Sequence, residues 1–147
     1  MSKFMLARRV YDSLVKHLEE IKKSNAEIVE RYYPSQTPER REFEEFLGEY
    51  IKNIEELINN SSSSDSDDFS LPMSIMGSAV TVQDVESEEI HKYLIVFPED
   101  FKLEGDDVSL FSPLGKGLIL KKVGDIAVIS VPAGIIRYKI LSVELDI

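Results

Sequence analysis

Apolar positions recur at helical spacing in two stretches of the N-terminal half. In the first stretch the spacing is four, three, four, three and four residues, with one polar Asn in the series: Leu14, Leu18, Ile21, Asn25, Ile28 and Tyr32. The second stretch repeats the same spacing: Phe43, Leu47, Tyr50, Ile54 and Leu57. This is the spacing of a coiled-coil seam, so the pattern predicts two helices packed along matching apolar faces.

The residues between the two series carry the signals that end one helix and begin another. Pro34 favours the end of the first helix, because the residue before a proline avoids the α conformation. Thr37 can cap the second helix, Pro38 suits its first position, and Glu39 complements the helix dipole in the first turn. A link this short predicts an antiparallel helical hairpin over residues 1–60.

Beyond residue 70 the period changes from helical to alternating, which is typical of strands. The predicted strands are Ala79–Val85, Ile90–Phe97, Val108–Phe111, Ile126–Val131 and Ile135–Leu145. Ser112-Pro113 repeats the cap-and-proline signal and predicts a short helix over Leu114–Leu120. The predicted fold class is therefore α+β: the coiled-coil hairpin is joined to a small antiparallel sheet domain, residues 71–147, with one short helix.

A polar segment of low complexity separates the two patterns. Residues 61–70 read SSSSDSDDFS, with serine and aspartate dominating. Such a composition cannot bury enough apolar surface to form its own core. The sequence therefore predicts a flexible, acidic, serine-rich linker at residues 61–70.

Composition narrows the class of protein and of chemistry. Hydrophobic residues make up 43% of the 147 residues, which is enough for a packed core. The chain has no cysteine, which excludes disulfides, thiolate zinc sites and cysteine nucleophiles. The net charge of −10 offers no basic field for a phosphate backbone, so we expect any action on nucleic acid to pass through another protein. No apolar run has the length of a signal peptide or a membrane span, so we expect a cytoplasmic protein.

The candidate chemical groups are few. His17 and His91 lie in different predicted domains without metal-ligand spacing, and the glycines of residues 115–117 lack the spacing of a phosphate-binding loop. Glu39 and Glu42 lie beside the predicted hairpin turn, where two exposed carboxylates could hold a divalent metal if a partner completed the site. The alternative is that Glu39 only complements the helix N-terminus and Glu42 is solvated.

Three segments of the C-terminal half resemble a known family. They are MGSAVTVQDVES (76–87), SPLGKGLILKKVGD (112–125) and VPAGIIRYKILSVE (131–144). Together they resemble the C-terminal domain of the bacterial GreA/GreB transcript cleavage factors. Two positions depart from that family's pattern: Gly117 replaces a usual Ala, and Leu120 replaces a usual Gly.

The resemblance implies a fold and a partner. It implies an FKBP-like fold for residues 71–147, and docking of this domain on RNA polymerase at the rim of the secondary channel. Ser112 and Pro113 match the polymerase-contact positions, although a helix cap alone also explains this pair.

The N-terminal half is similar to the same family at residues 4–22 and at the hairpin tip. In the family the tip reads G-D-L-x-E-N-A-E-Y, and its first Asp and first Glu help to hold the second catalytic Mg²⁺ of the polymerase. In this chain Glu39 matches the first Glu, Glu42 the second and Phe43 the aromatic residue. Gln36 stands in the position of the Asp, and a neutral amide is a poorer Mg²⁺ ligand than a carboxylate.

These features together imply a transcription elongation regulator that binds RNA polymerase and inserts a short hairpin into its secondary channel. Each arm is five or six residues shorter in our alignment, which withdraws the tip by roughly 8 Å and is similar to Rnk-type proteins in length. We therefore expect weak or no cleavage stimulation, in a monomer that is not itself an enzyme. It needs no cofactor beyond Mg²⁺ shared with the polymerase, and it meets nascent RNA and DNA only through the polymerase.

Two alternatives remain open at this stage. The first is an active cleavage factor whose tip carboxylates assist the polymerase-bound Mg²⁺. The second is an FKBP-like prolyl isomerase or a general binding module, because a fold alone does not assign a function.

Overall fold

The chain forms two compact units. The computed structural model describes residues 3–97 and 105–146. The units are Met1–Asp68 and Phe69–Ile147, so the division falls inside the segment predicted as a linker. None of the helices in these described ranges is long and apolar enough to cross a membrane.

The first unit is the predicted helical hairpin, closed at its base by two short strands. Strand β1 (Phe4–Ala7) leads into helix α1 (Arg8–Tyr32), and helix α2 (Pro38–Asn59) leads into strand β2 (Ser61–Ser64). The strands pair in parallel, with Phe4 opposite Ser61 and Ala7 opposite Ser64.

The linker prediction was wrong for residues 61–64, which form β2. Serine has little preference for strands, but the backbone groups that pair β2 with β1 do not depend on side-chain type. One serine hydroxyl adds to the pairing, because Ser64 Oγ donates to Leu6 O in β1 at 3.3 Å. A second serine joins β2 to the helix before it, because Ser61 Oγ donates to Leu57 O in α2 at 2.6 Å. The antiparallel helices bring their outer ends together, so the two flanking segments meet.

The apolar seam between the helices follows the predicted pattern closely in α2 and less closely in α1. All five predicted α2 positions are buried, from Phe43 to Leu57. In α1, Leu14 and Ile21 are buried as predicted, whereas Val29 is buried and its neighbour Ile28 is only half-buried. A straight helix drifts by about 20° per seven residues from a strict heptad, so the buried face shifts along a 25-residue helix.

A histidine–tyrosine contact crosses the middle of this seam. His17 Nε2 lies 2.6 Å from Tyr50 Oη, and the two rings meet edge to face with centroids 5.7 Å apart. Burial lowers the pKa of His17, because a charged imidazolium would lose its hydration, while Glu20 acts in the opposite direction. Neutral His17 is therefore part of the packed hairpin.

We predict that the hairpin loses stability in mild acid because of His17. The unfolded chain takes up a proton at this residue below about pH 6.5, whereas the folded chain resists protonation, so stability falls as the pH drops through that value. The wild type should lose up to about 1.4 kcal/mol per pH unit more than His17→Gln. Urea unfolding followed by helical circular dichroism at several pH values measures this difference. Parallel pH dependence of the two proteins would contradict the prediction.

The second unit is a five-stranded sheet with one short helix. Its strands are β3 (Ser78–Asp84), β4 (Ile90–Val96), β5 (Asp107–Ser109), β6 (Ile126–Val131) and β7 (Gly134–Leu145), and helix α3 (Pro113–Leu118) lies between β5 and β6 in sequence. The strand order is β5-β4-β3-β7-β6. The predicted α+β class is confirmed, although β4 and β5 pair in parallel, so the sheet is mixed rather than fully antiparallel.

The core of this unit lies on the sheet face that α3 contacts. The fully buried aliphatic residues on this side come from the strands and the helix: Val80, Val82, Ile95, Leu118, Ile129 and Ile140. Gly117 fits against Ile129 so closely that an added Cβ would lie 2.6 Å from Ile129 Cγ1. The family's usual Ala would therefore lie too close to Ile129 at this position.

Leu120 shows the cost of the other departure from the family pattern. It follows α3 with φ 64°, in the left-handed region that glycine adopts without penalty. A hydrogen bond holds this strained backbone in place, because the Leu120 N–H donates to Ser74 O at 2.9 Å. A side chain in this conformation costs about 1–2 kcal/mol.

We predict that glycine is better than alanine at position 120. Leu120→Gly should exceed Leu120→Ala in free energy of unfolding by about 0.5–1 kcal/mol, since relief of the left-handed strain outweighs the added chain entropy. The matched pair is Ile119→Gly and Ile119→Ala, where φ is −60° and alanine should be the more stable. Chemical denaturation of the four variants measures which residue, glycine or alanine, is the more stable at each position. The same preference at positions 119 and 120 would refute the explanation by strain.

Candidate functional site at the hairpin tip

The tip of the hairpin is a five-residue link between two capped helix ends. Helix α1 ends at Tyr32 and α2 begins at Pro38. Thr37 is the N-cap of α2, as predicted: its Oγ1 accepts a hydrogen bond from the Arg40 N–H at 3.2 Å. Glu39 lies in the first turn of α2. The turn is therefore held by its own helix cap.

Arg40 connects both helices and the turn. Its Nη1 donates to Tyr33 O at 3.1 Å, to Pro34 O at 3.4 Å and to a carboxylate oxygen of Glu30 at 3.2 Å. Its Nε lies 3.4 Å from a carboxylate oxygen of Glu44. Only 15% of the Arg40 side chain is exposed, although it lies at the end of a hairpin. The guanidinium therefore fixes the path of the chain through the tip.

The sequence analysis did not single out Arg40. In the family's tip pattern the residue after the first Glu is an Asn, and in this chain that position is Arg40. The sequence did contain a signal for Arg40, because a long cationic side chain replaces a short amide beside the turn. The bonds it makes could not be predicted, because they depend on where the carbonyl groups of the link point.

An aromatic row supports the tip from below. The rings of Tyr33 and Phe43 lie 5.1 Å apart, those of Phe43 and Phe46 6.3 Å, and those of Phe46 and Tyr50 5.9 Å. Offset and tilted contacts at such distances are favourable for aromatic pairs. The link is thus connected to the middle of the hairpin, where Tyr50 contacts His17.

The three predicted tip residues lie at this same end of the hairpin. Gln36, Glu39 and Glu42 are all exposed. Neither glutamate forms an ion pair with a described residue, in contrast to Glu30 and Glu44. Within residues 3–97 and 105–146 no three acidic or imidazole side chains come close enough to hold a metal. The tip can thus present carboxylates to a metal held elsewhere, and it contains no metal centre of its own in these ranges.

The two predicted polymerase-contact residues lie in the sheet unit, at the start of α3. Ser112 Oγ accepts from the Gly115 N–H at 3.0 Å and donates to Ser109 O at 2.7 Å. Pro113 is the first residue of the helix and is exposed. Ser112 is therefore engaged as a cap, while Pro113 is available to a partner.

A further cluster in the sheet unit was missed. His91, Tyr93 and Tyr138 pack with ring centroids 5.8–6.1 Å apart, and the two tyrosine hydroxyls lie 3.4 Å from each other. Burial, followed by the bond to Tyr138, raises the pKa of Tyr93. The phenol of Tyr93 is therefore held in its neutral form. The alternation of His91 and Tyr93 in β4 was the available signal, because residues two apart share a face.

Comparison with known proteins assigns the family. The model of the family "Transcription elongation factor, GreA/GreB, C-term" matches residues 75–145. Transcription elongation factor GreA of Thermotoga petrophila is 32% identical over an alignment that covers 97% of this chain and 98% of that protein. The chain belongs to the GreA/GreB family. GreA of Clostridium kluyveri is 37% identical over 99 residues, covering 67% of this chain and 62% of that protein.

A solved structure of a family member resembles this GreA/GreB-family chain only loosely in overall superposition. The GreA/GreB factor of Nitrosomonas europaea is 20% identical, with 98% of this chain and 99% of that chain covered and a TM-score of 0.48.

The alignment of this GreA/GreB-family chain with the Thermotoga petrophila relative contains gaps. The alignment with the Thermotoga petrophila protein runs over 158 positions, and 97% of this chain is about 143 of its 147 residues. About 15 positions of the alignment therefore fall opposite gaps in this chain. A total of that size is compatible with two shortened hairpin arms.

We predict that Arg40→Met loosens the tip. The substitution keeps most of the apolar length but removes all the guanidinium bonds, so the free energy of unfolding should fall by about 1–2 kcal/mol. Amide exchange at Tyr33 and Ser35 should accelerate with it. The matched control is Arg41→Met at the exposed neighbouring position, which should change stability by less than about 0.5 kcal/mol. Equal effects of the two substitutions in urea unfolding would show that Arg40 does not organise the tip.

Proposed function

We propose that this protein is a transcription elongation regulator that binds RNA polymerase and inserts its short hairpin into the secondary channel, with weak or no stimulation of transcript cleavage. The observation that carries the proposal is the tip itself. It presents two free carboxylates, but Gln36 replaces the third acidic group and Arg40 adds a fixed cation next to Glu39. The relatives named transcription elongation factor GreA support the partner and the process.

The electrostatics of the tip weigh against efficient metal assistance. A divalent magnesium ion prefers charged oxygen ligands, and the neutral amide of Gln36 supplies less attraction than an aspartate would. The guanidinium of Arg40 is paired with Glu30 and Glu44, so it supplies no ligand for the ion. A metal held by the polymerase would therefore gain little from this tip.

The reach of the hairpin supports the same conclusion. Helix α2 has 22 residues, which gives a length of about 33 Å at 1.5 Å per residue. The gaps opposite the Thermotoga petrophila protein are compatible with the predicted loss of about 8 Å of reach. A ligand that stops several ångströms short of a metal contributes no coordination. Such a hairpin could still occupy the channel and affect the movement of substrate or RNA.

The charge of the chain fits an action through protein contacts. With a net charge of −10, the protein is repelled by RNA and DNA. In this proposal the sheet unit therefore supplies the affinity by binding the polymerase, with Pro113 as an exposed contact residue. The protein itself carries out no reaction.

One observation favours a second candidate, an active cleavage factor. Glu39 and Glu42 are exposed and form no ion pair with the described part of the chain, so both remain available as ligands. In that case Glu39 would be the residue on which cleavage depends.

A cleavage assay on backtracked complexes of purified bacterial RNA polymerase tests the proposal. We expect the wild-type protein to bind the polymerase in co-sedimentation but to accelerate release of short 3′ RNA fragments little, if at all. Glu39→Ala and Glu42→Ala should leave this low rate unchanged. The matched control is Glu45→Ala, an exposed carboxylate further along α2.

Two results would overturn the proposal. Rapid fragment release by the wild type that is lost in Glu39→Ala but kept in Glu45→Ala would assign the active-factor role. If the wild-type protein bound neither core polymerase nor backtracked complexes, RNA polymerase would not be its partner.

A further inference from the structure

The open edge of the sheet unit has the features of a strand-binding site. Strand β6 is the last strand in the order β5-β4-β3-β7-β6, and no described strand pairs with its outer edge. It reads IAVISV, six residues without a charge or a proline. Protein edges are normally protected by lysine, proline, bulges or a covering segment, because a bare edge offers its backbone to any extended chain.

The backbone bonds of β7 show which groups are free on this edge. Ile140 N–H donates to Asp125 O at 2.9 Å, and Gly124 N–H donates to Ile140 O at 2.8 Å. The backbone groups of Ile140 therefore face the β6 side of β7. Since successive residues in an antiparallel pair alternate in direction, Tyr138 and Ile136 also face β6.

The register then identifies the outward-facing residues of β6. Tyr138 lies opposite Ala127, and Ile136 lies opposite Ile129, so these β6 residues use their backbone groups on β7. The residues between and beside them turn their N–H and C=O groups to the open edge. They are Ile126, Val128 and Ser130.

The side chains of the same edge residues form an exposed apolar face. Ile126 is 47% exposed and Val128 56%, and Ile135, which lies opposite Ser130 on β7, is 55% exposed. About half of the accessible surface of each of these residues is therefore still in contact with water. A strand placed beside β6 would cover part of it, at about 25 cal/mol for each Å² buried.

Two cations lie on this face beside the apolar residues. Lys139 is directly opposite Ile126 and Arg137 is directly opposite Val128, and both are exposed. Neither forms an ion pair with a residue in the described ranges. Residues 71–147 contain only seven basic side chains, and two of them are concentrated here in a chain of net charge −10. The charge of this face is therefore opposite to that of the chain as a whole.

We propose that the edge of β6 binds an extended acidic segment of a partner protein by strand addition. The outward backbone groups supply the ladder bonds, and the aliphatic parts of the acidic side chains pack beside Ile126 and Val128. An added strand would lie about 4.8 Å from β6 and about 9.6 Å from β7, within reach of the long side chains of Arg137 and Lys139. Acidic residues on the exposed face of the added strand pair with these cations.

An acidic partner fits this edge better than a second copy of the chain. Two copies paired through β6 would place uncharged strands against each other and leave Arg137 and Lys139 without acidic partners. They would also bring together two chains of net charge −10, which repel each other. The site is independent of the hairpin and of the cleavage question.

A designed peptide tests the proposal on the full-length chain. The probe is a seven-residue, end-blocked peptide that alternates glutamate with valine or threonine. Matched controls carry lysine in place of glutamate, or N-methyl groups on the residues that would donate to β6. Binding is measured by fluorescence anisotropy and mapped by backbone amide NMR.

We expect the acidic peptide to bind and to shift the amide signals of Ile126, Val128 and Ser130. The lysine and N-methyl peptides should bind at least tenfold more weakly. Arg137→Glu combined with Lys139→Glu should lower the affinity for the acidic peptide by roughly tenfold, as expected for the loss of two exposed ion pairs. Lys116→Glu, an equally exposed cation on α3, should change the affinity by less than about twofold.

Three results would overturn the proposal. The first is failure of the acidic peptide to bind at millimolar concentration, and the second is equal binding of acidic and lysine peptides. The third is a dimer in sedimentation that Val128→Lys abolishes, which would assign the edge to a second copy. The peptide comparison on the wild type decides the matter even if a charge-reversal variant folds poorly.

Discussion

The hairpin depends on one buried seam, along which α1 and α2 pack against each other. Four side chains of that seam are fully buried: Tyr50, Leu14, Leu47 and Ile54. Most helical stability in proteins comes from packing of one apolar face rather than from helix propensity. The seam therefore sets the relative position of the two helix ends between which the tip is built.

The tip shows how a chain can keep a turn after it loses the residues that usually make one. The family's Gly-Asp-Leu turn is absent, and glycine is the residue that makes sharp turns without strain. Here Thr37 caps α2 and Arg40 bonds to the carbonyl groups of the link. The tip also differs chemically from the family pattern, because Gln36 is neutral where the family has an Asp and Arg40 is a cation where the family has an Asn.

The sequence predicted the parts that follow from local pattern. The α2 seam, the two helix caps at Thr37 and Ser112, and the succession of strands all came from spacing and from cap-and-proline signals. Val29 replaced Ile28 in the α1 seam because a real helix drifts from the heptad. The pairing of β1 with β2 could not be predicted, because it joins segments far apart in sequence mainly through backbone groups. The parallel direction of the β4–β5 pair could not be predicted either, because the alternation of side chains does not specify strand direction.

The sequence supplied candidate residues for the tip, but it did not predict how the tip is organised. Gln36, Glu39 and Glu42 came from alignment with a known tip, and they lie together at the end of the hairpin. The bonds of Arg40 and the free edge of β6 depend on the direction of individual carbonyl and amide groups, which a sequence does not specify. Ser112 shows the same limit, because a helix cap and a contact with a partner would both favour a serine at this position.

The strand pair at the base gives the hairpin a mechanical property. With β1 joined to β2 at one end and Arg40 bonded across the other, α1 cannot slide along α2 unless ladder bonds and tip bonds break together. Two helices joined at both ends resist bending far more than two helices joined at one end only. Pressed end-on against a rigid surface, such a pair would transmit force along its axis rather than buckle. Its length would then act as a fixed spacer, set by the number of residues in each arm.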